Sequence, residues 1–183
     1  AYVAQASSTP IEELALCELA QSDIWKIELD LEKTKVFFKG EDVTDNIYKE
    51  EVGTAASQLS QFQKVREALL KSQRDCAKNN QWLIAEGRDC GTVVFPEAPL
   101  KIYLTARSEA RAMRRAAEEG SDIQETQRAQ AERDKQDTTR KAAPLQIPEN
   151  AHVIDTSTMD LKQVVGAVSE IVKKLFSRLG FSR

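Results

Sequence analysis

The most informative segment of the chain is Trp82-Leu-Ile-Ala-Glu-Gly-Arg-Asp-Cys-Gly-Thr92. Its apolar start, Trp82–Ala85, predicts a short buried strand, and a glycine, an arginine and an aspartate follow at the carboxyl end of that strand. In open α/β sheets ligands bind at this edge, glycine lets the backbone approach a phosphate closely, and arginine matches phosphate oxygens through two parallel N–H groups. The segment therefore predicts an anion site at Arg88, beside which Asp89 can accept a hydrogen bond from an amino-bearing base.

A second group of charged residues, Arg133, Asp137 and Arg140, is spaced four and three residues apart. On a helix these side chains share one face, and two guanidinium groups beside a carboxylate favour phosphate handling. The alternative for this group is solvent-exposed pairing, worth only about 0.3–0.5 kcal/mol per pair, and the alternative for Arg88 and Asp89 is a structural ion pair in a turn. Phosphoryl transfer needs several arginines brought together where water is excluded, so the two groups jointly favour the functional interpretation.

Length and composition limit the class of protein. The chain has 183 residues and a formal net charge of −3, which fits one domain with an inserted subdomain and argues against a broad nucleic-acid surface. The three cysteines, Cys17, Cys76 and Cys90, are far apart, so neither a disulfide framework nor a zinc site is predicted, and we expect a reducing, cytoplasmic location. No run approaches the roughly 18 apolar residues of a membrane span, so we expect no membrane partner.

The rest of the pattern predicts helices around strands, which favours α/β layering. Alternation of apolar residues predicts an antiparallel hairpin over residues 24–31 and 35–39 that covers one apolar face. Ser108–Glu119 is predicted to be a helix that ends at Gly120, and the polar helix Ile123–Asp137 is predicted to be an exposed, movable flap. The other expected elements are helices at 11–20, 49–60, 64–79 and 161–175 and strands at 100–104 and 153–154.

Eight short motifs occur in a fixed order along the chain. They are Gly-Glu-Asp-Val-Thr (40–44), Ala-Ala-Ser-Gln (55–58), Val-Arg-Glu-Ala-Leu-Leu (65–70), Glu-Gly-Arg-Asp-Cys-Gly-Thr-Val-Val-Phe-Pro (86–96), Lys-Ile-Tyr-Leu-Thr-Ala (101–106), Arg-Ala-Met-Arg-Arg (111–115), Glu-Arg-Asp (132–134) and Ala-Pro-Leu (143–145). In order and spacing they resemble the cytidylate kinase family, bacterial-type nucleoside monophosphate kinases that use ATP to phosphorylate CMP and dCMP. The resemblance runs from about residue 35 to residue 174.

The resemblance implies a P-loop nucleoside monophosphate kinase-like α/β fold: a three-layer parallel sheet with helices on both faces, plus a small antiparallel β insertion and a helical lid. It implies one kinase-like domain over residues 1–183, with the monophosphate-binding insertion at 21–62 and the lid at 120–141. ATP is the implied phosphoryl donor, accompanied by Mg²⁺, and no residue of the chain is predicted to ligate a metal. The complete protein is expected to be a monomer.

Residue roles are implied by the same motifs. Ser57, Arg66 and Asp89 would read the cytosine edge, with Asp89 accepting from the amino group, and Arg88 with Arg140 would hold the CMP phosphate. The remaining implied roles are those of Arg133 between the donor and acceptor phosphates, Asp137 at the sugar, and Arg114 with Arg115 facing ATP from the base of the lid. Arg133, Asp137 and Arg140 form the implied catalytic group.

The sequence departs from the family pattern in a few places. The loop Gly-x-x-x-x-Gly-Lys-Ser/Thr, which cradles the phosphates of ATP, occurs nowhere in the 183 residues, so we expect the chain to start after it and to be inactive alone. Tyr48, Gln136 and Thr138 stand where relatives carry arginine. Loss of lid arginines would weaken contacts with ATP, whereas the three residues of the charged helix face keep their spacing.

Two other functions remain open. A non-catalytic pyrimidine-nucleotide binding module would keep the CMP side and lack the ATP side, and the sequence upstream of residue 1 would distinguish it. A kinase for another monophosphate, above all UMP, is the second alternative. Against it, the carboxylate of Asp89 suits the amino group of cytosine better than the carbonyl of uracil. We predict a kinase for CMP or dCMP that binds neither nucleic acid nor a membrane.

Overall fold

The computed structural model describes residues 1–31, 33–78, 80, 82–139 and 143–180. The chain divides into two compact units, Ala1–Ala85 and Glu86–Arg183. Each unit has its own secondary structure and its own buried residues. One kinase-like domain over residues 1–183, with an insertion at 21–62 and a lid at 120–141, stays a prediction.

The first unit combines helices with one small antiparallel sheet. In chain order its elements are α1 (Tyr2–Ala6), α2 (Glu13–Gln21), β1 (Trp25–Glu28), β2 (Lys35–Phe38), β3 (Glu41–Asp42), a 3-10 helix (Thr44–Tyr48), α3 (Glu50–Leu59) and α4 (Gln63–Lys78). The helices expected at 49–60 and 64–79 are confirmed as α3 and α4.

The predicted antiparallel hairpin is confirmed as the β1–β2 pair. Strand β2 continues into β3 through the two-residue turn Lys39-Gly40, whose residues have φ of 50° and 85°. Positive φ at both central positions is the property of the type I′ turn, and glycine adopts it without steric cost. The apolar face that the hairpin was predicted to cover is only partly protected, since Ile27 is 44% exposed.

The core of the first unit lies where α1, α2 and α4 meet. Ala4, Leu16 and Val65 are each less than a tenth exposed, and partly buried apolar residues pack around them: Cys17, Leu19, Leu59, Phe62 and Leu69. Leu16 and Leu19 on α2 are three residues apart, and Val65 and Leu69 on α4 are four apart, so each helix presents an apolar stripe. Full burial of a leucine or valine side chain contributes roughly 1.5–3 kcal/mol, so this cluster stabilises the unit.

Helix α2 starts later than predicted. Its predicted range was 11–20, behind Pro10, but it runs from Glu13 to Gln21. Ile11 is 67% and Leu14 73% exposed, so two apolar positions that favoured the earlier start pack against nothing that shields them. The buried face of α2 is set by Leu16 and Ala20 instead.

The strand predicted at Trp82–Ala85 is wrong. These residues adopt no regular structure, and no strand in the described ranges pairs with them. A strand exists only where a neighbour accepts and donates its backbone hydrogen bonds, and an apolar run does not report whether such a neighbour is present. Without one, Trp82 is 50% exposed and Ile84 98% exposed.

The second unit contains a parallel pair of strands and three helices within its described residues. A π-helical turn at Cys90–Val94 is followed by β4 (Ile102–Thr105), α5 (Ser108–Glu119), α6 (Ile123–Thr139), β5 (His152–Asp155) and α7 (Leu161–Arg178). Strands β4 and β5 pair in parallel from Ile102 opposite His152 to Thr105 opposite Asp155. They confirm the strands predicted at 100–104 and 153–154. Because parallel strands need a long crossover, α5 and α6 lie in the connection between them.

Helix α5 has the predicted bounds. It ends at Gly120, whose φ of 66° is the left-handed conformation that glycine adopts at helix ends. Its buried face contains Ala112 and Ala116, which are 0% and 5% exposed, and this helix packs against α6.

Helix α6 extends two residues beyond its predicted end at Asp137, to Thr139. The side chain of Asp122 accepts hydrogen bonds from the backbone N–H groups of Gln124 and Glu125 at 2.9 and 3.0 Å, which satisfies donors that the first helical turn leaves open. Thr126 is its one buried residue. The predicted polar character is therefore confirmed, and its mobility as a flap stays a prediction.

Helix α7 was predicted at 161–175 and extends to Arg178. Its N-cap is Asp160, whose side chain accepts from the N–H of Gln163, while the side chain of Gln163 accepts from the N–H of Asp160. This reciprocal arrangement is a capping box. The helix is amphipathic, yet none of its residues is buried, and Leu161 is 80% exposed.

Candidate active site

The loop at residues 86–89 depends on two glycines. Gly87 has a φ of 154°, and a Cβ on it would lie 2.9 Å from the sulfur of Cys90. A Cβ on Gly91 would lie 2.7 Å from Cγ of Pro148, a separation that real side chains essentially never show. Asp89 begins the π-helical turn, and its carbonyl accepts from the N–H of Val93 at 2.9 Å. The local sequence therefore places Arg88 and Asp89 on a tight, sterically restricted loop.

Arg88 contacts two carboxylates on α6. Its Nη2 donates to Asp134 and its Nε forms an ion pair with Asp137. Residues 134 and 137 are three apart, so they lie on the same face of the helix. The side chain of Arg88 is 42% exposed, whereas those of Asp134 and Asp137 are 27% and 14% exposed. The predicted phosphate-binding arginine and the predicted sugar-binding aspartate are thus in direct contact.

Arg111 of α5 completes this group. Its Nη2 lies 2.6 Å from Oδ2 of Asp134, so that one carboxylate bridges two guanidinium groups. Burial raises the pKa of Asp134, but the hydrogen bonds and charges of Arg111 and Arg88 outweigh burial, and the pKa of this carboxyl lies below its ordinary value. We call Arg88, Arg111, Asp134 and Asp137 the Arg88 cluster, and its formal charges sum to zero.

The predicted catalytic group also includes Arg133 and Arg140. Arg133 is half-buried on α6, and its side chain makes no hydrogen bond or ion pair with the described part of the chain. Arg140 lies outside the described residues. The structure therefore brings Arg88 and Asp137 together, with Arg133 one turn before Asp137 on the same helix.

Arg114 joins α5 to the loop after β5. Its guanidinium donates to the carbonyl of Thr156, to Oγ1 of Thr156 at 3.0 Å and to the carbonyl of Met159 at 3.1 Å. Thr156 is buried and its N–H donates to the carbonyl of Thr105 at 2.7 Å, which ties the loop to the parallel strands. Arg115, the second predicted ATP contact, is half-buried.

The residues predicted to read cytosine are divided between the two units. Ser57 on α3 and Arg66 on α4 belong to the first unit, and both are half-buried. The carbonyl of Ser57 accepts from Oγ of Ser60 at 2.7 Å. Asp89 belongs to the second unit and is also half-buried.

Cys90, next to Asp89, is a free thiol. Burial raises its pKa, and the negative charges of Asp89 and Glu86 raise it further. The thiol is therefore protonated at neutral pH, and a protonated thiol is a poor nucleophile. We therefore assign Cys90 no nucleophilic role.

Sequence reasoning missed two residues of the Arg88 cluster. Asp134 and Arg111 entered only as letters of the Glu-Arg-Asp and Arg-Ala-Met-Arg-Arg motifs, without a role. One signal was available for Asp134, because its spacing of three from Asp137 places two carboxylates on one helix face. Nothing in the sequence pairs Arg111 of α5 with that face.

The described residues contain neither a group of metal ligands nor a helix that could cross a membrane. Among residues 1–31, 33–78, 80, 82–139 and 143–180, no three His, Cys, Asp or Glu side chains are grouped so that they could hold a metal ion. None of the helices in these ranges has the length and apolar character needed to cross a membrane.

Comparison with known proteins identifies the family. The family model described as cytidylate kinase matches residues 1–174. A cytidylate kinase of Bdellovibrio bacteriovorus is 54% identical over 158 residues, which cover 86% of this chain and 73% of that protein. Cytidylate kinases of Aeromonas salmonicida and Thermotoga neapolitana are 43% and 39% identical, covering 85% and 91% of this chain and 70% and 75% of their own lengths. Because the match spans most of the sequence, including the Arg88 loop and both helices that support it, the chain belongs to the cytidylate kinase family.

Proposed function

We propose roles for individual residues in the reaction of the cytidylate kinase family, to which this chain belongs. The enzyme is a nucleoside monophosphate kinase, and the reaction transfers the γ-phosphoryl group of ATP to CMP or dCMP, giving CDP or dCDP. The observation that supports the account best is the Arg88 cluster, in which a loop arginine and the acidic face of α6 meet.

The acceptor phosphate is bound by Arg88 and Arg140. Two guanidinium groups match the oxygens of a phosphate through parallel N–H donors, which positions it for attack. Arg133, whose side chain makes no hydrogen bond or ion pair with the described residues, bridges the donor and acceptor phosphates and offsets the charge that spreads over the transferred group. Asp137 binds the sugar while it also contacts Nε of Arg88.

Cytosine is read by Ser57, Arg66 and Asp89. The carboxylate of Asp89 accepts from the exocyclic amino group of cytosine, and uracil presents a carbonyl at the same position. A wrong base would leave a buried acceptor without a donor, which costs more than the loss of a good contact. This account favours CMP over UMP, in agreement with the names of the similar proteins.

The ATP side of the account involves Arg114 and Arg115. Because the N–H groups of Arg114 donate to Thr156 and Met159, this residue offers ATP its charge and its planar face. No general base is required, since the attacking phosphate oxygen is already ionised at neutral pH, and positioning and electrostatics supply most of the catalysis. Mg²⁺ accompanies ATP and neutralises phosphate charge. Since the described residues hold no cluster of metal ligands, we assign it no protein site and no separate step.

We also propose how the described elements fit the architecture of the family. The β4–β5 pair is part of the three-layer parallel sheet of the family, residues 21–62 form the monophosphate-binding insertion, and residues 120–141 form a lid that closes over both nucleotides. The three free thiols support a reducing, cytoplasmic location. The complete protein acts as a monomer.

Calorimetric titration with CMP, UMP and AMP tests the account. We expect the chain to bind CMP in preference to the other two nucleotides. Asp89→Asn should lower CMP affinity about tenfold to a hundredfold, because a hydrogen bond to a charged group contributes about 1.5–3 kcal/mol. Glu86→Gln is the matched control, since it removes the same charge from an exposed position three residues away. Equal binding of CMP and UMP by the unmodified chain would contradict the assignment of the base.

A further inference from the structure

Asp134 lies between Arg88 and Arg111, and none of the roles assigned above uses it. We propose that Asp134 is a positioning residue for the acceptor phosphate: by bridging Arg88 and Arg111 it orients the Arg88 guanidinium toward CMP, while Arg111 offsets the negative charge that Asp134 adds. The proposal rests on the proposed function, because it takes Arg88 as a ligand of the CMP phosphate.

Arg88 needs support from outside its own segment. Residues 82–89 form no helix or strand, so no regular hydrogen-bond ladder fixes the direction of its side chain. An arginine side chain loses about 2 kcal/mol of rotamer entropy when it is ordered, and a ligand that must order it binds more weakly by that amount. Asp134 and Asp137 order the side chain in advance, and they stand on α6, which packs against α5.

The carboxylates of Asp134 and Asp137 occupy only one edge of the Arg88 guanidinium. Both contacts of Arg88 use Nε and Nη2, which form one side of the planar group. No acceptor among the described residues lies on Nη1. The contacts with α6 therefore leave one donor edge available to a phosphate, and they determine the direction in which that edge points.

Charge explains why the bridge includes Arg111. Arg88 with two carboxylates alone would carry a net charge of −1, and a phosphate dianion would be repelled. Arg111, 2.6 Å from Oδ2 of Asp134, restores neutrality while it shares the same carboxylate. Its side chain is 35% exposed and contacts the carboxylate on the oxygen that Arg88 does not use. Arg111 thus acts on the phosphate site through Asp134.

A double-mutant cycle on the full chain tests the proposal, with CMP affinity measured by calorimetry. We expect Asp134→Asn to weaken CMP binding about tenfold in the unmodified background and to have less than a twofold effect when Arg88→Gln is already present. Asp134→Glu should recover part of the loss. Glu132→Gln is the matched control, because it removes the same charge from an exposed position on the same helix that contacts neither arginine.

Each outcome has a defined meaning. Equal losses from Asp134→Asn in both backgrounds would show a purely structural effect and overturn the proposal. Tighter CMP binding would show that Asp134 competes with the phosphate for Arg88, which also overturns it. If Asp134→Asn does not fold, Arg111→Gln tests the same bridge from its other end, with the same dependence on Arg88 expected. Failure of the unmodified chain to prefer CMP over UMP would instead overturn the proposed function, and this inference with it.

Discussion

Helix α6 is polar along most of its length, yet it packs against α5 and its carboxylates bind Arg88 and Arg111, whereas helix α7 carries a regular apolar stripe and has no buried residue. An amphipathic pattern therefore indicates which face of a helix can be buried without showing that a partner is present. Specific charged contacts, which no periodicity reveals, integrate α6 into the second unit. The contrast predicts that substitutions where α5 packs against α6 lower the free energy of unfolding more than substitutions on α7.

The largest effect is expected at the interface of α5 with α6. Ala112 is fully buried on α5, which packs against α6, and Ala112→Leu should lower the free energy of unfolding by about 1–3 kcal/mol, since a fully enclosed position has no room for a larger side chain. Urea denaturation followed by circular dichroism measures the loss. The matched change on α7 is Val165→Ala at a position 55% exposed, which should stay within about 0.5 kcal/mol of the unmodified chain. A loss at Val165 as large as that at Ala112 would contradict the comparison.

An intermediate effect is expected at the start of α7. Because this helix lacks buried residues, its capping box is a main local source of stability, and Asp160→Ala should cost about 1 kcal/mol. Amide hydrogen exchange in the first turn of α7 is the sensitive readout, since a lost cap frays the helix from its N-terminus. Asp160→Asn retains an acceptor and serves as the control. Unchanged exchange in Asp160→Ala would show that contacts other than the cap hold the first turn.

The smallest effect is expected in the pH dependence of stability, through the carboxylate of Asp134. The folded-state pKa of Asp134 is lowered, so this residue stabilises the fold above its unfolded value of about 3.9, and the contribution disappears as the pH falls through the folded-state pKa. The urea midpoint of the unmodified chain should exceed that of Asp134→Asn at pH 6, and the difference should shrink below pH of about 4. A difference that is constant from pH 6 to pH 3 would indicate that the ionised carboxylate makes no contribution.

Local signals account for the parts of the fold that the sequence predicts well. Gly120 marks the end of α5, and alternation marks the β1–β2 hairpin, because both depend on residues close in sequence. The prediction of a strand at Trp82–Ala85 was wrong because strand pairing depends on a neighbour that is distant in sequence. The site shows the same division: Arg88 was identified from its loop, but its partners Asp134 and Arg111 come from helices that only the tertiary structure brings to it.

The parallel pairing of β4 with β5 has a consequence for the order in which the chain folds. The N–H of Arg107 donates to the hydroxyl of Ser157, which is 50 residues away in sequence. Strands β2 and β3, in contrast, are joined by a turn of two residues, Lys39 and Gly40. Hairpins close in about 1–10 μs, while contacts between distant segments must first overcome the entropy of a long loop. The antiparallel sheet is therefore expected to form early, whereas the Arg114–Thr156 contact must close a loop of 42 residues and is expected to form later.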